Sequence, residues 1–197
     1  MPTLVVTVAV EGPTDVPVAR RILESVGLEM GPIYEMGGKA GLDKRLNGYN
    51  RAAAFSPWLV LRDLDHDAPC AAALVANLLP RRSDKMAFRV AVREIEAWLL
   101  ADGDRIASYL VVPRSRVPDS PDRLSHAKRA LVDLARRSRK RAIRDDIVPE
   151  QGVRAQVGPG YLGRISEYAA VHWRPHVAAH SSPSLRRCLT ALKGVRG

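Results

Sequence analysis

Three acidic residues stand where a parallel sheet would gather them. Glu11 follows the β-branched run at residues 3–10, and Asp63 and Asp65 follow the apolar run at 58–61. The carboxyl ends of strands in such a sheet open onto the ligand crevice. Alternate residues of an extended chain point the same way, so the Asp-x-Asp spacing predicts two carboxylates aimed at one site with Glu11. Clustered carboxylates repel one another and resist ionisation without a cation. An all-oxygen set favours a hard ion, Mg²⁺ or Mn²⁺. Such an ion binds phosphate, lowers the pKa of an attacking water and stabilises a leaving oxygen. The competing reading is that these acids cap loops and helices. A second group, Gly37-Gly38-Lys39, follows the next apolar stretch. Backbone amides of Gly37 and Gly38 could approach a phosphate while Lys39 stabilises its developing charge, unless Lys39 is an exposed loop lysine. His66 reads as a loop residue. Asp67, just ahead of Ala68-Pro69, reads as a helix cap.

The elements that must position these groups alternate. Apolar strand-like runs at 3–10, 32–36, 58–61 and 86–92 are interleaved with helical patterns after Gly12-Pro13-Thr14-Asp15, at 42–54, at 70–79 and from 95 to 101. Thr14 or Asp15 is the expected cap of the first helix, and Gly27 its stop. Alternation of this kind implies an α/β fold, with a mainly parallel sheet of about four strands flanked by helices. Beyond it the chain reads as all-helical. The expected division is an α/β domain over 1–110 and a basic helical extension over 111–197, packed on it. In the extension, Leu124, Ala127, Leu131 and Leu134 share one helix face. Ser182 caps a last helix that starts at Pro183 and carries Leu185, Cys188, Leu189 and Leu192 on one side.

The chain of 197 residues has a net charge of +10. Much of the excess is local: between Pro113 and Arg144, eleven Lys and Arg face three Asp. Such a surface favours a polyanion, and Arg136, Arg137, Arg139, Lys140 and Arg141 are the candidate nucleic-acid contacts. A solvated basic helix is the alternative. No apolar run approaches the roughly 18 residues that span a bilayer, and the start lacks a basic signal region. Two unpaired-looking cysteines, Cys70 and Cys188, fit a reducing cytoplasm.

The segment Val8-Ala9-Val10-Glu11-Gly12-Pro13-Thr14-Asp15, followed by Leu59-Val60-Leu61-Arg62-Asp63-Leu64-Asp65, resembles the Toprim signature. That domain is shared by topoisomerases, bacterial primases and OLD-family nucleases. The segment Arg93-Glu94-Ile95-Glu96-Ala97-Trp98 and the tail Ser182-Pro183-Ser184-Leu185 are similar to small bacterial Toprim-like proteins of unknown function, associated with defence alongside an ABC-type ATPase. The resemblance implies a Rossmann-like sheet, with Glu11 as metal ligand or general base and Asp63 and Asp65 as the metal pair. It also implies Glu94 and Glu96 as acids for a second metal, with Glu96 preferred as the catalytic one. The plainer reading of these two is first-turn helix acids favoured by the helix dipole.

The resulting expectation is a Mg²⁺-dependent nuclease acting on DNA or RNA. Its alternatives are a non-catalytic subunit that binds nucleic acid or an ATPase, and a metal-dependent nucleotide phosphohydrolase. Two other patterns are set aside. Gly158-x-Gly160-x-x-Gly163 matches a dinucleotide fingerprint but lacks the later acid. His172, His176 and His180 recur every four residues, but Pro175 is expected to break a helix between them. No Walker loop and no Gly-x-Ser-x-Gly elbow is present, so ATP hydrolysis by this chain alone is not expected.

Overall fold

The first strand is apolar but for Thr7, because both its faces are covered beyond Val5. In the computed structural model, which describes residues 3–195, β1 (Val5–Val10) is followed by α1 (Asp15–Ser25), β2 (Glu29–Glu35), α2 (Lys39–Ala52), β3 (Trp58–Asp63), α3 (Ala71–Leu78) and β4 (Met86–Ala91). The four strands form one parallel sheet in the order β2-β1-β3-β4. Val6, Val8, Val10, Leu59 and Leu61 point into a large core shared with α1 and the helices that follow the sheet. Ala9, Trp58, Val60, Phe88 and Val90 point the other way, against Leu42 and Leu46 of α2 and Leu74 of α3.

The chain then continues as α4 (Glu96–Leu100), α5 (Gly103–Leu110), α6 (Ala127–Arg136), α7 (Arg141–Ile147), α8 (Tyr161–Glu167), α9 (Pro175–Ser181) and α10 (Pro183–Lys193). The sequence reading did not include α5 and α7. The helical run is interrupted at Trp173 and Arg174, between His172 and His176, as Pro175 leads one to expect, and Pro175 then opens α9, where its missing N–H costs nothing. A π-helical turn over Tyr168–His172 joins α8 to that segment, closed by a Trp173 N–H to Tyr168 carbonyl bond of 2.9 Å. Ser182 caps α10 as its position suggests, its Oγ accepting from the Leu185 N–H at 3.2 Å. The dinucleotide-like glycines have a packing role instead. A Cβ on Gly158 or Gly160 would come within 2.5 or 2.6 Å of the end of α7, so these residues let α8 start against it.

The carboxyl-terminal helices are fastened to the sheet domain at α4. Trp98 is fully buried, and its Nε1 donates to Ser184 Oγ at 2.7 Å. Trp173 Nε1 donates to the Trp98 carbonyl at 3.1 Å, and the Tyr168 hydroxyl to the Leu99 carbonyl at 3.3 Å. One apolar cluster therefore runs from β1 to α10. No helix among the described residues is long and apolar enough to cross a membrane.

Trp98 is the pivot of this junction, so Trp98→Ala is expected to cost about 3–5 kcal/mol, through the cavity and the stranded Ser184 hydroxyl. Urea unfolding measures it. A loss under about 1 kcal/mol would show that the junction is not the anchor described.

Candidate functional site

Strand order fixes where a site can form. β1 sends its following helix toward β2 on one side, while β3 and β4 continue on the other, so the topological switch lies between β1 and β3. The ladder between these two strands is short, pairing Thr7, Ala9 and Val8 with Trp58, Val60 and Leu59. Glu11 and Asp63 lie just past its end. They are joined there by a side chain: Glu11 Oε1 accepts from the Asp63 backbone N–H at 2.8 Å.

A buried cation organises the acids around that junction. Arg62 is 3% exposed. Its guanidinium donates to both carboxylate oxygens of Asp43 at 3.1 Å and to Asp67 Oδ2 at 2.7 Å, and it lies 3.5 Å from Glu11 Oε1. It also donates to the Asp63 carbonyl. Burial disfavours its charge, but the hydrogen bonds to Asp43 and Asp67 and the charge of Glu11 outweigh burial and hold it protonated. Asp67 is therefore an ion-pair partner and not the expected helix cap, and Cys70 occupies the cap position of α3. Lys39 and Arg62 together keep the Asp67 carboxyl below its ordinary range.

Lys39 begins α2 after Gly37 and Gly38, whose φ values of +67° and +116° require glycine. The Gly38 N–H donates to the Glu11 carbonyl at 2.8 Å. The Lys39 ammonium lies 3.0 Å from Asp65 Oδ2 and 2.8 Å from Asp67 Oδ1. Asp65 does not continue the strand: β3 ends at Asp63, and Asp65 has φ +46°. Side-chain alternation thus does not carry Asp65 to the same point as Asp63. Its carboxylate is held by Lys39, though its charge still raises the pKa of Glu11 and Asp63.

The acids whose charges act on Asp63 come from several elements. Burial, then the charges of Asp15, Glu96, Glu11 and Asp65, push the Asp63 carboxyl well above its usual range. The Asp63 side chain accepts no hydrogen bond among the described residues. Glu96, the first residue of α4, is 1% exposed. Its Oε1 accepts from the Tyr161 hydroxyl at 2.7 Å and lies 3.4 Å from Lys128 Nζ, while its Oε2 is buried without a partner. Asp15, in the first turn of α1, accepts the Gly12 N–H at 3.0 Å. Burial, with Glu96 and Glu11 adding, pushes its carboxyl up to about 7. Burial also raises Glu11, against the Asp63 N–H and Arg62. Glu94 has a different task. Its Oε2 accepts the Lys128 backbone N–H at 2.7 Å, satisfying a donor in the first turn of α6.

Lys128 is the cation facing this group. Burial works against its charge, but Glu96, Asp63 and Glu94 outweigh it and keep the amine above its ordinary pKa. Two clefts meet at Lys128. One of about 470 Å³ is lined by Glu94, His126, Arg129 and Arg136, the other of about 400 Å³ by Pro13, Thr14, Tyr161 and Leu162. Of the five basic candidates of the tail, Arg136 reaches the first cleft, and Arg137, Arg139, Lys140 and Arg141 are exposed farther along the chain. His172, His176 and His180 do not converge: His176 Nε2 is 2.6 Å from the Ser25 carbonyl, and His180 Nδ1 is 3.1 Å from that of Val177.

The sequence reading missed Arg62, Asp43, Lys128 and Tyr161, and gave Asp15 only a capping role. Asp15 carried a signal, since a residue four after a strand-end acid falls in the first helical turn above it. Lys128 and Tyr161 carried none, because each meets Glu96 across a long stretch of chain. Among the described residues, no group of three or more His, Cys, Asp and Glu side chains is arranged to hold a metal ion as it stands. The carboxylates are gathered but not closed into a ligand set. Comparison with protein-family models, with curated proteins and with solved structures finds no match.

Asp15 allows a direct test of this crowding. Its folded pKa of about 7 lies above the ordinary 3.8. The stability that its proton contributes is complete below the lower value and is lost as pH rises through the higher one. Asp15→Asn is neutral at every pH and leaves an oxygen for the Gly12 N–H. In chelator-treated protein it is expected to flatten the stability profile between about pH 4 and 7, and to raise stability at pH 8 by about 1–3 kcal/mol. Urea titrations across that range decide it. A mutant profile as steep as the wild type's would assign the slope to other groups.

Proposed function

We propose that this chain is a Toprim-like, Mg²⁺- or Mn²⁺-dependent nuclease that hydrolyses phosphodiester bonds of DNA or RNA, with an ABC-type ATPase as partner. The observation that carries the reading is the pair of buried carboxylates Asp15 and Glu96 beside the partly buried Asp63 and Glu11 at the β1–β3 switch, with Glu96 Oε2 unpartnered and Asp63 accepting no hydrogen bond among the described residues. Gathered carboxylate oxygens left without donors fit a hard dication. Asp63, Glu96, Asp15 and Glu11 are the residues that would hold it, and Asp65 only after release from Lys39. A bound dication would supply an activated water and charge neutralisation at the phosphorus.

The remaining roles belong to the chain. Tyr161 is kept a phenol by burial and by the neighbouring charge of Glu96, so its O–H orients that carboxylate. Lys128 presents its ammonium where the two clefts meet and can take a phosphoryl oxygen. Lys39 is a salt-bridge residue here, and its part is to hold the Asp65 and Asp67 loop. Arg136 and the exposed Arg137, Arg139, Lys140 and Arg141 would lead a polyanion toward the first cleft.

Asp63→Asn tests the centre. It preserves shape and removes one repelling charge, so without metal the variant is expected to melt at or above wild type. Mn²⁺ should raise the wild-type melting temperature as RT ln(1 + [L]/Kd) requires, with a much smaller rise in the variant. Cleavage of single- and double-stranded DNA and RNA, with the cognate ATPase supplied, should be abolished in the variant. Equal metal-induced shifts in both proteins would remove Asp63 from the ligand set. A wild-type shift without cleavage would favour the non-catalytic binding subunit, and cleavage of mononucleotides alone the phosphohydrolase.

The basic segment has its own test. Replacing Arg136, Arg137, Arg139, Lys140 and Arg141 by Gln should weaken nucleic-acid binding and reduce the slope of log affinity against log salt by about one per lost phosphate contact. Unchanged affinity and slope in a fluorescence titration would make that segment a solvated face.

A further inference from the structure

A groove larger than either cleft at Lys128 lies away from the acids. It measures about 860 Å³ and runs beside β4, and none of Glu11, Asp15, Asp63 or Glu96 lines it. α3 forms one wall, with Ala72, Val75 and Ala76. Ser184 and Arg187 of α10 and the turn at Pro121–Arg123 form the other, and Phe88 and Val90 lie between them.

β4 is the edge of the sheet, and its sole strand partner is β3. The Lys85, Ala91 and Arg93 carbonyls accept from Trp58, Leu64 and Asp65, so the odd-numbered peptide groups face β3. Strand geometry then turns the N–H and C=O of Phe88 and Val90 outward, toward the groove. Neither residue's peptide groups have a hydrogen-bond partner on that side among the described residues. Phe88 and Val90 are 1% and 7% exposed, so these peptide groups are buried without a strand partner, and an unpaired edge of this kind is a template for another strand.

The rim selects the charge of that strand. Arg82, Arg89, Arg93, Arg123 and Arg187 line the groove, and none of them is in an ion pair among the described residues. The only acid in the lining is Asp122, and both its oxygens are occupied, by the Ser182 hydroxyl at 2.7 Å and the Ser184 N–H at 2.9 Å. Arg89 Nε is buried with no acceptor. Burial pulls the Arg89 pKa down against an opposing effect of Cys188, and the positive charge of Arg82 adds a smaller lowering. A carboxylate in the groove would relieve both the missing acceptor and the crowded charge. Pairing with β4 of a second copy would instead set two arginine rims against each other.

We infer that the β4 groove is a docking site for an acidic, extended segment of a partner protein, which adds to the sheet as a fifth strand and places a carboxylate on Arg89. Main-chain bonds to Phe88 and Val90 give the affinity, and the arginine rim gives the preference for acidic sequence. This surface is independent of the nuclease reading, and metal-free protein suffices to test it.

The probes are two fluorescein-labelled hexapeptides of alternating Val and Glu, one in each register, titrated into the full chain and read by fluorescence anisotropy. At least one register is expected to bind saturably. The same peptide N-methylated at alternate residues keeps its charges but loses its strand hydrogen bonds, and should bind at least about tenfold more weakly. So should the original peptide with the double variant Arg89→Met, Arg187→Met, checked for folding by its melting curve. If that variant does not fold, the N-methylated peptide decides alone. No saturable binding in either register, or equal binding of the N-methylated peptide, overturns the proposal. Displacement of the peptide by an oligothymidylate of equal charge overturns it in favour of a nucleic-acid track.

Discussion

The guanidinium of Arg62 is buried among Asp43, Asp67 and Glu11, and the acids at the ends of β1 and β3 are arranged around it. A buried charge persists only when its partners satisfy its hydrogen-bonding capacity, and removing one partner of such a group is costly. Arg62 meets this with a two-oxygen bond to α2, one to the loop after β3, and a close approach to the end of β1. It thereby pulls three elements onto the last turn of β3. It also divides the carboxylates into two populations. Asp43 and Asp67 are neutralised by Arg62, and Asp65 by Lys39. Asp15, Asp63 and Glu96 are left facing the interior with Lys128 as their nearest balancing cation, and burial raises Asp63 and Asp15 in consequence.

How much of this could be read in the sequence depends on how local each feature is. The parallel sheet is a local pattern repeated: four apolar runs separated by helical spacing, of which β1, β3 and β4 are largely buried and β2 is not. Glu11 and Asp63 were placed by the same logic, since a strand's last residue is near where its hydrophobic run ends. The Asp-x-Asp argument failed at its second member because it assumed that the strand continues. β3 stops at Asp63, and the left-handed turn at Asp65 sends that carboxylate to Lys39 instead. Arg62 was invisible for a related reason. A charged residue inside an apolar strand reads as an interruption, and only the partners brought from α2 and the exit loop explain it. Tyr161 and Lys128 meet Glu96 from the helical half of the chain, where no spacing links them. α5 and α7 are short, and their few apolar positions are masked by flanking Asp, Gly and Arg.

The charge layout is inverted relative to the composition. A chain with net charge +10 keeps a knot of carboxylates at its sheet's switch point and sends its arginines outward, to the α6–α7 surface and to the β4 groove. A uniform basic surface would attract polyanions anywhere. At the cleft lined by Lys128, Arg129 and Arg136, that basic surface instead meets an acid, Glu94, beside the knot of carboxylates. The two arginine-lined regions differ in what lies beneath them: open helix surface at α6–α7, and an unpaired strand edge with an apolar floor at β4.

The bond from the Tyr161 hydroxyl to Glu96 spans 65 residues of chain. During synthesis the sheet and its strand-end acids leave the ribosome long before Lys128 and Tyr161 do. Until then Glu96 has neither its phenol nor its ammonium, and α4 has not received Trp173 or Ser184 against Trp98. A nascent chain therefore carries a partly exposed, mutually repelling acid cluster on an incomplete core. Order of translation makes the site complete only after Tyr161 has emerged. Glu96 gains its phenol and its ammonium once the helical half has closed over it.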